Sequence, residues 1–316
     1  MNLSSDQPLV SIVTPSFNQV QFLEQTIRSV LEQDYAHFEY LVADGASSDG
    51  SQEIIQRYAD RLAWWISEPD HGQAEAINKG LLRAKGEYVA WLNSDDIYLP
   101  GAISKAVTSF SHHPEVGMVY GDVLAIDENG EPINLLRYAQ WSLEDLMSFR
   151  VIGQPSVFMR RRVLEKAGYL DPSYHFLLDH QLWLRMAQLA EICYIPYRLS
   201  AARFHSESKN ISRAAEFGNE VERIQEWMKI QPALEPILLK DRVRVQGGAH
   251  SLRAFYLLDG GDAAASLQEY WLCFKLHPPT LARDWKHFLS AIFSLLGLNR
   301  LGIYYRRLRR SLIKGS

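Results

Sequence analysis

Short apolar runs alternate with amphipathic stretches through the first third of the chain. Leu9–Thr14 (LVSIVT), Phe38–Ala43, Leu62–Ile66 and Tyr88–Leu92 read as strands. A strand covered on both faces shows a continuous apolar run rather than strict alternation. The stretches between them predict helices over Phe22–Gln33, Gln52–Tyr58 and Gln73–Ala84, the first apolar at Phe22, Ile27, Val30 and Leu31. Strands alternating with helices imply a doubly wound, mostly parallel sheet of the α/β class.

The middle of the chain is less regular. Val116–Tyr120, Val123–Ile126 and Val157–Arg160 predict strands, with a turn at Glu128–Gly130. Ser142 and Asp145 have capping-box spacing before a short helix. Pro100–Phe110 and Asp179–Leu189 predict further helices. Beyond about Ser206 the periodicity is helical only. The expected organisation is an α/β domain over 1–205 and a helical extension over 206–316.

Composition narrows the classes. The 316 residues are 47% hydrophobic and 22% charged, enough for a real core and far from a disordered chain. The net charge of −4 gives no global reason to expect nucleic acid as a partner. Cys193 and Cys273, the two cysteines, fit a reducing compartment rather than a disulfide framework. The start, MNLSSDQPLVSIV, lacks the basic-then-apolar order of a signal peptide. No apolar run reaches the roughly 20 residues that span a bilayer. A cytoplasmic protein is expected. Charge is uneven, however. From Leu281 to Ser316 eight Lys/Arg face one acid, Asp284, so the tail carries +7 and the remainder −11.

Ligands of open α/β sheets bind outside the carboxyl ends of the strands. After the first apolar run come Pro15, Ser16 and Phe17. After the second comes Asp44, after the third Asp70, and after the fourth Asn93-Ser94-Asp95-Asp96. Like charges gathered at one edge repel unless a cation compensates. Magnesium or manganese is the natural compensator, since either binds through one or two carboxylates plus substrate phosphates. The alternative for Asp95-Asp96 is a cap for the helix that follows.

These segments, taken in order, have a resemblance. VSIVTPSFNQ, SVLEQDY, EYLVADGASSDGS, SEPDHGQAEAINKG and AKGEYVAWLNSDDIYLPGA resemble the nucleotide-binding half of the family 2 inverting glycosyltransferases, whose fold is called GT-A. A weaker likeness continues through GQPSVFMRR, LLDHQLWLRM and RFHSESKN, so that Pro8 to Asn210 is covered and the last hundred or so residues are not.

The resemblance implies roles. It puts Asp44 at the nucleotide base and Asp49 in ordering that loop. It makes Asp96 a metal ligand and Asp95 a contact to the donor's sugar or ribose. Pro15, Ser16, Phe17 and Asp70 line the nucleotide site. The family's metal motif commonly begins with an aspartate where this chain has Asn93, which leaves one carboxylate fewer. Asp179 matches the base that takes the acceptor's proton, although an N-cap of the helix after it is equally good physics. His180 becomes an acceptor-site neighbour, Gln154 a contact to donor or acceptor sugar, and His205 a further metal or phosphate ligand. Trp64, Trp65 and Trp91 lie inside strands and are expected in the core.

The implied activity is metal-dependent, inverting transfer from a nucleoside diphosphate sugar, with UDP-sugar favoured, to a hydroxyl acceptor. The acceptor would be a saccharide or lipid-linked species in surface polysaccharide or glycolipid assembly. A sugar nucleotidyltransferase would want a glycine-rich, cationic phosphate loop after the first strand, and TPSFNQV has neither feature. A non-catalytic binding protein would have lost the aspartates, and only position 93 departs. The stretch from about Trp285 to Lys314 combines aromatics, an apolar run and basic residues. It is expected either to be an ordinary core helix with a solvated basic end or to rest on an anionic membrane surface, on the inner face of the plasma membrane.

Overall fold

The structure is a computed structural model and describes residues 7–205 and 216–298. It divides into two compact units, the first built from residues up to Ile126, Leu135–Gln140 and Ile152–Arg203. The second holds Asp127–Asn134, Trp141–Val151 and the chain from Phe204 onward.

In the first unit the chain runs β1 (Val10–Ser16), α1 (Val20–Leu31), β2 (Phe38–Asp44), α2 (Ser51–Arg57), β3 (Trp64–Ser67), α3 (Gln73–Leu81), β4 (Tyr88–Trp91), β5 (Ile97–Tyr98), α4 (Ala102–His112) and β6 (Val116–Ile126). β7 (Pro132–Leu136) and α5 (Leu143–Met147) follow. The chain then re-enters the first unit for β8 (Phe158–Arg160), α6 (Arg161–Ala167), α7 (Leu178–Ala187) and β9 (Glu191–Arg203). The sheet order is β3-β2-β1-β4-β8-β6-β9-β5. The four strands from β3 to β4 are parallel. β8 is antiparallel to both β4 and β6, and β6 runs parallel to β9. The doubly wound α/β expectation holds, and the second half of the sheet is mixed.

The parallel half forms where the sequence is most apolar. Val10, Ile12, Leu23, Ile27 and Val42 are essentially inaccessible and belong to one cluster. α3 lies directly on β1: a Cβ added at Gly80 would fall 2.3 Å from a Val13 methyl. β1 reaches two residues past the predicted run, so Pro15 and Ser16 are buried strand residues rather than loop. Val116–Tyr120 and Val123–Ile126 are one strand, β6, passing through Gly121. Trp91 is buried and stacks on Trp183 with ring centroids 5.3 Å apart. Trp64 and Trp65 sit half-exposed on the edge strand β3, where Arg83 covers the Trp64 ring at 4.3 Å.

The second unit is helical after its entry: α8 (Phe217–Lys229), α9 (Glu235–Lys240), α10 (Arg242–Asp259), α11 (Ala263–Leu276) and α12 (Pro278–Leu295). Its small core joins Ala254, Tyr270 and Ala291 from the last three helices. The capping box expected at Ser142–Asp145 is present at α5. Among the described residues no helix is long and apolar enough to cross a membrane.

Candidate active site

β1 is flanked by β2 on one side and β4 on the other, so the order of winding switches between β1 and β4. That is where an open α/β sheet offers a crevice at its carboxyl edge. The predicted residues of the parallel strands arrive there in two groups.

The first group surrounds Asp44, the last residue of β2, which is 2% exposed. Its Oδ2 accepts from the Ser47 N–H at 2.9 Å and the Ser67 hydroxyl at 2.6 Å, and its Oδ1 accepts from the Ser47 hydroxyl at 2.5 Å. Asp44 therefore orders the loop after β2, and a carboxylate with about four lone-pair sites retains capacity for one more donor. Asp49 ties that loop to α1 by accepting from the Val20 N–H at 2.8 Å and from Ser51. Burial pushes its pKa up, but these donors hold it below the usual carboxylate range. A Cβ at Gly45 would lie 2.7 Å from Asp70 Oδ2 and 3.2 Å from the Phe17 ring. Asp44-Gly45, Asp70 and Phe17 thus converge, and Phe17 is 61% exposed at the open edge. Ser16, one residue earlier, is buried, and its hydroxyl has no hydrogen-bond partner among the described residues.

The second group follows β4. Asp96 is buried, and its Oδ1 accepts the Arg203 N–H at 3.0 Å. Burial raises its pKa well above the ordinary value, and the charge of neighbouring Asp95 raises it further, against smaller opposing effects from Arg203 and Asn93. A buried carboxyl beside a second one at the carboxyl edge of the sheet fits a divalent ion that takes its remaining ligands from substrate phosphates. Among the described residues no group of three or more His, Cys, Asp or Glu could hold a metal by itself. His205 is buried and belongs to the second unit.

Asn93, where the first acid of the family pattern would stand, is the centre of an amide chain. Its Oδ1 accepts from Gln73 Nε2 at 2.8 Å, and its Nδ2 donates to Gln154 Oε1 at 3.2 Å. Gln154 Nε2 donates in turn to the Trp91 carbonyl at 2.8 Å. Gln154 was expected to face a sugar. Its amide braces the Asp95-Asp96 loop from the end of β4 and keeps one further N–H and one lone pair with which a sugar could bond.

Arg203 and Thr26 complete the bracing. Arg203 Nε donates to the Asp95 carbonyl at 2.9 Å, Nη2 to Gln25 at 2.5 Å, and the guanidinium lies 4.7 Å from the Phe22 ring centroid. The Thr26 hydroxyl lies 2.9 Å and 2.7 Å from the carbonyls of Ser94 and Asp96. Gln73 and Arg203 lie within stretches that carry the resemblance but were given no role there, and Thr26 lies in none of them.

Asp179 is not the N-cap of α7. The cap is Leu177, and Asp179 lies in the first turn, where a carboxylate is favoured by the helix dipole. Its Oδ1 accepts the His180 N–H at 2.7 Å. His180 is buried, 2% exposed, directly behind Asp179 in the chain. Asp179 acts on Tyr138, whose hydroxyl pKa is pushed up by burial, then by Asp122, then by Asp179. Asp122 anchors this segment by accepting from the Tyr138 N–H at 3.0 Å and the Tyr194 hydroxyl at 2.9 Å. A Cβ on Gly153 would meet the Tyr138 hydroxyl at 2.6 Å. Tyr138, missed by sequence reasoning, therefore joins the Gly153-Gln154 segment to the surroundings of Asp179.

The family model described as glycosyl transferase family 2 matches residues 11–168, and the chain belongs to that family. TuaG of Bacillus subtilis, a glycosyltransferase named for teichuronic acid biosynthesis, is 32% identical over 186 residues, covering 57% of this chain and 72% of that protein. Against longer Rickettsia glycosyltransferases the chain spans only 36–38% of their length. Among solved structures, Staphylococcus aureus TarS 1-349 with UDP-GlcNAc aligns with a TM-score of 0.59 at 15% identity, covering 91% of this chain and 92% of that one. The Pyrobaculum calidifontis mannosyltransferase PcManGT, with GDP-Man and Mn2+, aligns at 0.61 and 20% identity, covering 93% and 88%. These likenesses establish the GT-A fold with a helical extension, and the family makes the protein a glycosyltransferase.

Proposed function

We propose that the protein transfers a sugar, with inversion, from a nucleoside diphosphate sugar to a hydroxyl acceptor in surface polysaccharide or glycolipid assembly. UDP is the favoured carrier and Mn2+ or Mg2+ the cofactor. The observation that carries this reading is the buried Asp96 beside Asp95 at the switch point, held by Arg203 and Asn93 and with its pKa raised by burial and by that neighbouring carboxylate. A divalent ion there would neutralise the charge gathering on the departing diphosphate. Asp96 and Asp95 would hold that ion, and His205 is a further candidate ligand. Asp44, Asp70, Pro15, Ser16 and Phe17 would receive the nucleotide. Asp179 would take the acceptor hydroxyl's proton as that oxygen attacks the anomeric carbon from the face opposite the leaving group. TuaG's name and the donors held by TarS and PcManGT support a nucleotide-sugar donor and a cell-surface acceptor.

A thermal-shift screen tests the donor class. UDP with Mn2+ at about a hundred times its Kd should raise Tm by roughly 5 °C, by mass action on the native state. Either component alone should do much less. Absence of a shift with any nucleoside diphosphate plus metal would overturn the reading. A larger shift with GDP than with UDP would reassign the base.

Tyr138→Phe tests the coupling to Asp179. The ring and its packing remain and only the hydroxyl is lost. Turnover should fall by roughly fivefold, about 1 kcal/mol for removing a buried hydroxyl from the surroundings of Asp179, with KM for the donor unchanged. A change in donor KM without one in kcat would place Tyr138 at the nucleotide instead.

A further inference from the structure

The last helix of the second unit leaves one flank unpacked. In α12, Leu281, Phe288 and Ala291 join the small core with Ala254 and Tyr270. Trp285, Leu289 and Phe293, with Leu296 at the C-terminal cap, recur at intervals of four, four and three residues and so share another face of the helix. All four are exposed, Trp285 by 50% and Leu296 by 63%. Lys286 Nζ lies 5.9 Å from the centroid of the Trp285 ring. The preceding helix repeats the pairing of aromatic and cation. Exposed Trp271 and Phe274 stack at 5.7 Å, and Lys275 Nζ lies 5.1 Å from the Trp271 centroid. Aromatic rings with lysines whose stems run along them suit the boundary between lipid and water.

Residues 299–316, most of the predicted basic tail, lie outside the described structure. Their sequence carries Arg300, Arg306, Arg307, Arg309, Arg310 and Lys314 and no acidic residue. An anionic lipid surface meets both the cations and the apolar stripe.

We propose that the Trp285–Leu296 stripe of α12 docks on bilayers containing anionic lipid. The apolar side chains enter the headgroup boundary, and the cations that follow engage lipid phosphates. The helix lies on the membrane rather than across it, in keeping with its length and hydropathy. This docking depends on neither donor nor metal, so it can fail or hold independently of the proposed reaction.

Vesicle flotation with the full-length protein is the test. Binding to phosphatidylcholine vesicles containing about a third phosphatidylglycerol should exceed binding to phosphatidylcholine alone by roughly tenfold or more at low salt, and be lost at high salt. Two full-length variants separate the contributions. One is Arg306→Gln with Arg307→Gln, Arg309→Gln and Arg310→Gln. The other is Trp285→Gln with Phe293→Gln. Each should lower the bound fraction by roughly tenfold or more. Because Trp285 and Phe293 are exposed, the second variant should keep the parent's circular dichroism and Tm. Equal binding to neutral and anionic vesicles, no binding at low salt, or unchanged binding by both variants would overturn the proposal. So would light scattering that shows a dimer which Trp285→Gln with Phe293→Gln converts to a monomer, because the stripe would then be a self-association surface.

Discussion

Asp96→Asn should lower turnover by on the order of 10²–10³-fold while making the metal-free protein more stable at neutral pH. Both effects come from one feature. Asp96 is buried beside Asp95, and its pKa is raised first by burial and then by that neighbouring charge. A carboxyl whose pKa rises on folding holds its proton more tightly in the native state. Ionising it then costs stability, and the cost appears as pH climbs above the ordinary carboxylate range. At pH 7 the metal-free parent bears this cost and the variant does not. Below about pH 4, where Asp96 is protonated in both folded and unfolded chains, the two should converge. Asparagine keeps an oxygen for the Arg203 N–H, so the bracing of the loop should survive. Thermal unfolding in chelator from pH 4 to 8 measures the stability difference, and nucleoside diphosphate release measures turnover. Full turnover in Asp96→Asn would transfer the metal to Asp95. A variant less stable than the parent at pH 7 would mean that Asp96 already has its compensating charge within the protein. The expected trade of stability for activity is the ordinary signature of a functional site.

The parallel half of the fold was legible because burial on both faces leaves its strands as bare apolar runs, and LVSIVT is the clearest. β9 was not legible. EICYIPYRLSAAR mixes polar residues and a proline into a strand whose exposed centre, around Pro196 to Arg198, hides its period. β5 has two residues, too few for any period to show. The same divide runs through the site. Asp44, Asp70 and Asp96 could be found because each directly follows an apolar run, and chain order alone brings strand ends to one edge. Arg203 could not, because it ends the strand that the pattern concealed. Tyr138, Gln73 and Gln154 acquire their contacts only through long-range approach: Gln73 reaches Asn93 across 20 residues and Gln154 reaches it across 61. Asn93 shows the limit from the other side. As a letter in a motif it is a missing carboxylate, whereas in three dimensions it is an amide that both donates and accepts within a fixed chain. An aspartate there could not donate to Gln154, which would have to turn its own amide and release the Trp91 carbonyl.

Asp179→Asn should reduce turnover by on the order of 10²-fold or more with nucleotide binding intact. Asp179 lies in the first turn of α7, where its Oδ1 accepts the His180 N–H, and an asparagine can keep that contact through its own oxygen. What it loses is basicity, since an amide takes no proton at neutral pH. The loss of charge at the helix start should cost only about 0.3–1 kcal/mol of stability, too little to unfold the protein. The proposed donor site is built from the other group of residues, so the thermal shift from UDP with Mn2+ should match the parent's. Asp179→Glu, which restores the charge at the wrong distance, should fall between parent and asparagine. The anomeric configuration of the product, read by NMR at early turnover, provides an independent check. Inversion in a single displacement needs one base, whereas retention through a glycosyl-enzyme would call for a nucleophile on the opposite face. Near-normal turnover in Asp179→Asn, or a product of retained configuration, would remove Asp179 from the base position.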